Sequence, residues 1–184
     1  MRTFFALNVP DRLRGGLKDL LSDLDRPDGF KPVEPDNYHI TLRFLGDVSR
    51  RLLDELDSGI HRTLPATGPL SLTLNGPGAF PNLSHPRVLW AGVDHPEGLL
   101  TVQSSLEELC VDRGLEPEQR EYHAHVTLGR IKSNPSGASE AVARWVRDHQ
   151  ARTIGEFQAD EVLLIESELG DEGPTYSTLW RWPL

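Results

Sequence analysis

Tyr38-His39-Ile40-Thr41-Leu42 and Ala124-His125-Val126-Thr127-Leu128 are near copies of one another, each reading His, aliphatic, Thr, Leu within a run of strand-forming residues. Side chains of a strand alternate between two faces with a period of two. His39 and Thr41 therefore share one face, and Ile40 and Leu42 share the other. His125 and Thr127 stand in the same relation to Val126 and Leu128. The copies are separated by almost half of a chain of 184 residues, which points to a single duplication rather than a solenoid repeat. If the halves face each other, two imidazoles and two hydroxyls meet across one cleft.

The flanking chain alternates strands and helices. Residues 2–9 read as a strand, and Pro10-Asp11 opens a helix to about Leu24 with an apolar stripe of Leu13, Leu17, Leu20, Leu21 and Leu24. Arg26 to Asp36 is a Pro- and Gly-rich loop with at most a short strand. The first His strand covers roughly 37–45, and Ser49 caps a second helix to about Leu64. Leu70, Leu72 and Leu74 alternate with polar residues in a strand that Gly76-Pro77-Gly78 is expected to turn. Val88–Val93 reads as a central strand, Pro96 leads a third helix to about Arg113, and the second His strand runs over 123–131. A fourth helix over Ser139–Asp148, a strand around Val162–Ile165 in the run from Phe157 to Leu169, and a last strand over Tyr176–Trp182 complete the chain. The expected fold is α+β. It has antiparallel or mixed sheets in two lobes, with residues 1–184 forming one unit.

Composition narrows the function. Hydrophobic content of 38% and charged content of 26% fit an ordinary soluble globular protein, and no apolar run approaches the ~20 residues needed to span a bilayer. Cys110 is the single cysteine, so no intrachain disulfide and no cysteine-based zinc site is expected, and a reducing cytoplasm is the natural location. A net charge of −9 argues against a protein that coats long nucleic acid. It leaves room for one phosphate in a locally basic pocket.

Two imidazoles in one cleft suit in-line hydrolysis of a phosphodiester. One neutral His takes a proton from the attacking water, and one protonated His gives a proton to the leaving alkoxide. The threonine hydroxyls, on the same face, donate to non-bridging phosphate oxygens. No metal or cofactor is required. A single His-x-Thr strand is far more often structural; the matched pair is what favours catalysis. A metal site built on His123 and His125, two apart in a strand, is the competing reading. Arg43 falls on the His39/Thr41 face by alternation and is a candidate phosphate or nucleotide contact. Arg130 falls on the wrong face by strict alternation, but a bulge at Gly129 would turn it inward.

These residues resemble the 2H phosphoesterase superfamily, whose members carry two His-x-[Thr/Ser] motifs. More closely, the chain resembles the RNA 2′,3′-cyclic phosphodiesterases, also called 2′-5′ RNA ligase-like proteins. The supporting blocks are Arg2–Leu7, Asn37–Gly46, Gly78–Pro81, Pro86–Gly92, His123–Arg130, Ser167–Gly170 and Arg181–Leu184. The resemblance implies a bilobal α+β fold of pseudo-twofold, duplicated lobes whose sheets flank a central cleft with the helices outside, and hydrolysis of a terminal 2′,3′-cyclic phosphate to a 2′-phosphomonoester on RNA ends or nucleotides. It implies His39 and His125 as catalytic residues, Thr41, Thr127 and Arg130 around the phosphate, and His125 as base with His39 as acid. A monomer is expected. The alternatives are 2′-5′ ligation as the main activity, or a non-catalytic nucleotide or RNA-end binder.

Overall fold

A computed structural model describes residues 1–64, 66–94, 97–132, 136–170 and 173–184. The expected helix start at Pro96, and His95 before it, lie outside the described residues. The strands are β1 (Arg2–Asn8), β2 (Phe30–Pro32), β3 (His39–Asp47), β4 (Leu70–Phe80), β5 (Val88–Val93), β6 (His125–Ile131), β7 (Gly155–Ala159), β8 (Glu161–Leu169) and β9 (Pro174–Pro183). The helices are α1 (Asp11–Ser22), α2 (Arg50–Thr63), α3 (Glu97–Asp112) and α4 (Ala138–His149). Ser49 caps α2 as its sequence position suggests, its hydroxyl accepting from the Leu52 N–H at 3.2 Å.

The strands form one sheet in the order β7-β4-β5-β6-β3-β1-β8-β9, with β2 added to β6. Every pairing is antiparallel, so the mixed alternative is set aside. Four strands lie on each side of the β3–β6 junction, and the last two strands of the chain return to the half that holds β1. The halves are joined by the pair Ile40↔Val126, the second residue of each motif. Both side chains are fully buried on the helix side, so the histidines and threonines stand on the opposite face.

One apolar core runs through both halves between the sheet and the helices, taking in Leu7, Leu17, Leu56, Leu89, Leu106 and Val142. Each such buried side chain contributes about 1.5–3 kcal/mol. Helices far apart in sequence pack together: the Trp145 indole N–H of α4 donates to the Leu20 carbonyl of α1 at 2.8 Å. A smaller cluster of Phe4, Ala6, Leu163 and Ile165, with Tyr176 against it, occupies the His39 face.

Gly76-Pro77-Gly78 does not turn the chain; β4 continues through it to Phe80. A register shift between Leu74 and Pro77 accommodates the proline, which has no N–H to give to a ladder. The glycines serve close approach instead. A Cβ on Gly76 would lie 2.4 Å from the His149 carbonyl oxygen, and one on Gly78 would lie 2.1 Å from the Trp90 ring. The run from Phe157 to Leu169 is also two strands, β7 and β8, which lie at separate places in the sheet.

Candidate active site

Each motif strand carries a bulge one residue after its threonine. In β3, Phe5 pairs with Arg43 and Ala6 with Thr41, leaving Leu42 extra. In β6, Leu89 pairs with Gly129 and Trp90 with Thr127, leaving Leu128 extra. A bulge shifts the alternation of everything beyond it. Leu42 and Arg43 are both buried and Phe44 is exposed; Leu128 and Gly129 are both buried and Arg130 is exposed. Arg130 therefore joins the His125/Thr127 face, as the bulge at Gly129 suggested.

The same shift removes Arg43 from the cleft, against the expectation from simple alternation. Its side chain is 8% exposed and paired with Glu107 of α3. Its remaining nitrogens donate to the Phe44 carbonyl at 2.8 Å and the Glu116 carbonyl at 2.5 Å. It binds the helix layer and the 113–124 segment, not the histidine face of the sheet.

Both imidazoles are held alike. The Nδ1–H of His39 donates to the Asn37 carbonyl at 2.7 Å, and that of His125 donates to the His123 carbonyl at 2.6 Å. A carbonyl can only accept, so the proton sits on Nδ1 and the neutral ring keeps its lone pair on Nε2. In His39 that Nε2 accepts from the Thr41 hydroxyl at 3.1 Å; among the described residues no matching bond joins His125 and Thr127. The Tyr122 hydroxyl donates to the Thr41 carbonyl at 3.2 Å, tying the approach to the second motif to the backbone of the first.

Aromatic rings wall both histidines. Phe4 and Tyr176 lie 4.8 and 5.3 Å from the His39 ring, and Phe80 lies 5.0 Å from the His125 ring. Burial lowers both histidine pKa values, His39 to about 4, and the charges of Arg130 and of the other histidines act in the same direction. Their backbone hydrogen bonds oppose the shift only in part. The free site is thus a pair of neutral imidazoles beside a guanidinium, ready for an anion. His123, weighed as a metal ligand, lies with its ring tilted against Trp90 at 4.9 Å and 6.4 Å from the His125 ring. Among the described residues no group of three or more His, Cys, Asp or Glu side chains is placed to hold a metal ion, and no helix is long and apolar enough to cross a membrane.

Sequence reasoning did not single out Phe4, Phe80 or Tyr176 for the site. Alternation and the quoted blocks hold a signal for Phe4 and Phe80. Tyr176 has none, because its place depends on β8 and β9 returning to β1.

The family model of the 2′-5′ RNA ligase superfamily matches residues 9–171. The chain is 34% identical to the RNA 2′,3′-cyclic phosphodiesterase of Methanothermobacter thermautotrophicus over 97% of this chain and 96% of that one. It is 35% identical to the RNA 2′,3′-cyclic phosphodiesterase of Archaeoglobus fulgidus, over 97% and 98%. Among solved structures it is similar to E. coli LigT complexed with 3′-AMP, with a TM-score of 0.80 and 27% identity over 100% of this chain and 97% of that one. With the family model spanning most of its length and full-length relatives above 30% identity, the chain belongs to the 2′-5′ RNA ligase superfamily.

Proposed function

We propose that the protein hydrolyses the terminal 2′,3′-cyclic phosphate of RNA to a 2′-phosphomonoester, without a metal. The observation that carries this reading is the matched holding of His39 and His125. Each Nδ1–H is held by a carbonyl two residues back, which turns each Nε2 to the face that Arg130 shares, that of His39 accepting from the Thr41 hydroxyl in the free protein. The names of the full-length relatives support the substrate class.

Water attacks phosphorus opposite O3′. His125 Nε2 takes the water proton as the new P–O bond forms. The P–O3′ bond breaks, and protonated His39 gives its Nε2 proton to O3′, leaving the phosphate on O2′. Thr41, Thr127 and Arg130 hold the non-bridging oxygens as charge builds on them. Burial keeps His39 neutral in the free protein, so it gains its proton together with the anionic substrate, whose charge offsets the desolvation. The test is turnover of a 2′,3′-cyclic mononucleotide in EDTA with identification of the product. Unchanged turnover yielding only the 2′-phosphate is expected. Loss of turnover restored by zinc or manganese would return the His123/His125 metal reading, and a 3′-phosphate product would reverse the leaving group.

A further inference from the structure

We propose that the body of an RNA substrate, upstream of its cyclic end, runs along a cationic strip formed by Arg130, Lys31 and Lys132; this rests on the cyclic-phosphate reading above. β6 carries the strip. One edge of β6 meets β3 only at Val126, beside the histidines, and beyond that point β2 takes over the same edge. The register Lys31↔Arg130 sets these two residues side by side, with Cα atoms about 5 Å apart.

The faces are fixed by their neighbours. Phe30 packs into the main core beside buried Ile131, its cross-strand partner, and its ring fills the space where a Gly129 side chain would stand. Lys31, the next residue, therefore points to the Arg130 face. Lys132 continues the row. The Ile131 N–H donates to the Arg87 carbonyl on one side, and the Lys132 N–H donates to the Gly29 carbonyl on the other, at 2.9 and 3.2 Å. β6 itself ends at Ile131 and the chain bends at Lys132; the opposite aim of these two successive N–H groups is what returns the Lys132 side chain to the face of Arg130. The Arg87 guanidinium fixes this end by donating to the Lys132 carbonyl at 3.1 Å.

Charge selects the occupant. In a chain of net charge −9, seven arginines are engaged by carboxylates (Arg14, Arg43, Arg50, Arg51, Arg147, Arg152 and Arg181). Among the described residues, Lys31, Arg130 and Lys132 form no ion pair, although Asp28 and Glu34 flank β2. At about 3.3 Å per residue the row reaches roughly 20 Å from His125 to Lys132, further than one nucleotide's phosphate needs. A strip that starts at the phosphate site and leads away from it suits a polyanion entering by its end.

The strip is tested with two substrates and one binding measurement. The unmodified protein, Lys31→Gln, Lys132→Gln and the double variant are compared on a 2′,3′-cyclic mononucleotide and on a short single-stranded RNA ending in a 2′,3′-cyclic phosphate. The double variant should lose roughly tenfold in kcat/KM on the RNA at low salt, with the mononucleotide value within about twofold. Anisotropy of a labelled RNA ending in a 2′-phosphate should give a log Kd against log salt slope that shrinks by about 0.7 for each lysine removed. Equal effects on both substrates, or an unchanged salt slope, would overturn the strip. If the unmodified protein turns over neither substrate, the cyclic-phosphate reading has failed, and the salt slopes still decide the strip.

Discussion

β3 and β6 are two versions of one strand with opposite fates for their arginines. Both carry His-x-Thr-Leu, both bulge at the leucine, and both change face there. In β3 the residue after the bulge is Arg43, and it is driven into the helix layer against Glu107. In β6 that place is taken by Gly129, and the arginine comes one residue later, on the histidine face. The position matching Arg130 in β3 is Phe44, which stacks on Phe4 at 5.2 Å. A one-residue offset thus divides the labour. One arginine braces the scaffold and the other stands on the histidine face, so the face is symmetric in its imidazoles and asymmetric in its charge.

The largest effect that tests this division falls on the residues that are alike. His39→Ala and His125→Ala should each cost on the order of 10²–10⁴ in rate on a cyclic phosphate, measured as kcat. A rate within a few-fold of the unmodified protein for either variant would show that the pair does not act together. Next come the charge-bearing groups. Arg130→Ala, Thr41→Ala and Thr127→Ala should each lower kcat by about 10- to 1000-fold with little change in Tm.

Arg43→Ala should do the reverse. It leaves Glu107 mostly buried without its partner, a loss of about 3 kcal/mol that should appear as a Tm fall on the order of 10 °C. Its effect on kcat should be well below that of Arg130→Ala. Equal catalytic losses for Arg43 and Arg130 would erase the distinction between the two strands.

The smallest effect is a displacement in pH. Burial lowers both histidines below their ordinary 6.5 in the free protein, so the neutral–protonated pair is most populated on the acid side. As pH rises the last proton is lost early, and kcat/KM, which reports the free enzyme, should peak below about 6.5. A bound phosphate anion raises both values, so kcat should peak at higher pH than kcat/KM. Coincident profiles centred above neutrality would contradict the burial of the pair.

The four helices, the two motif strands and the duplication were legible because each rests on a local period: the leucine stripe of α1, the Ser49 cap, the alternation in β3 and β6. Arg130 was legible because Gly129 advertises a bulge. Arg43 was not, because Leu42 gives no such signal; its bulge follows from the pairing of β3 with β1, a contact between distant stretches. Gly76-Pro77-Gly78 misled for a similar reason. Its glycines answer to the Trp90 ring and the end of α4, which lie far off in sequence. The return of β8 and β9, and with it Tyr176 beside His39, belongs to topology that no local window carries.

In the proposed reaction the two near-identical motifs hold different halves of one proton transfer. A substrate whose leaving group needs no proton, such as a nitrophenyl ester of a nucleoside phosphate bound in the same orientation, separates them. His39→Ala should retain far more of its activity on that ester than on the cyclic phosphate, because the missing acid is no longer needed. His125→Ala should remain as impaired as before, because water must still be activated. Retention by His125→Ala with loss in His39→Ala would reverse the roles, and equal loss in both variants on both substrates would contradict the division of acid and base between β3 and β6.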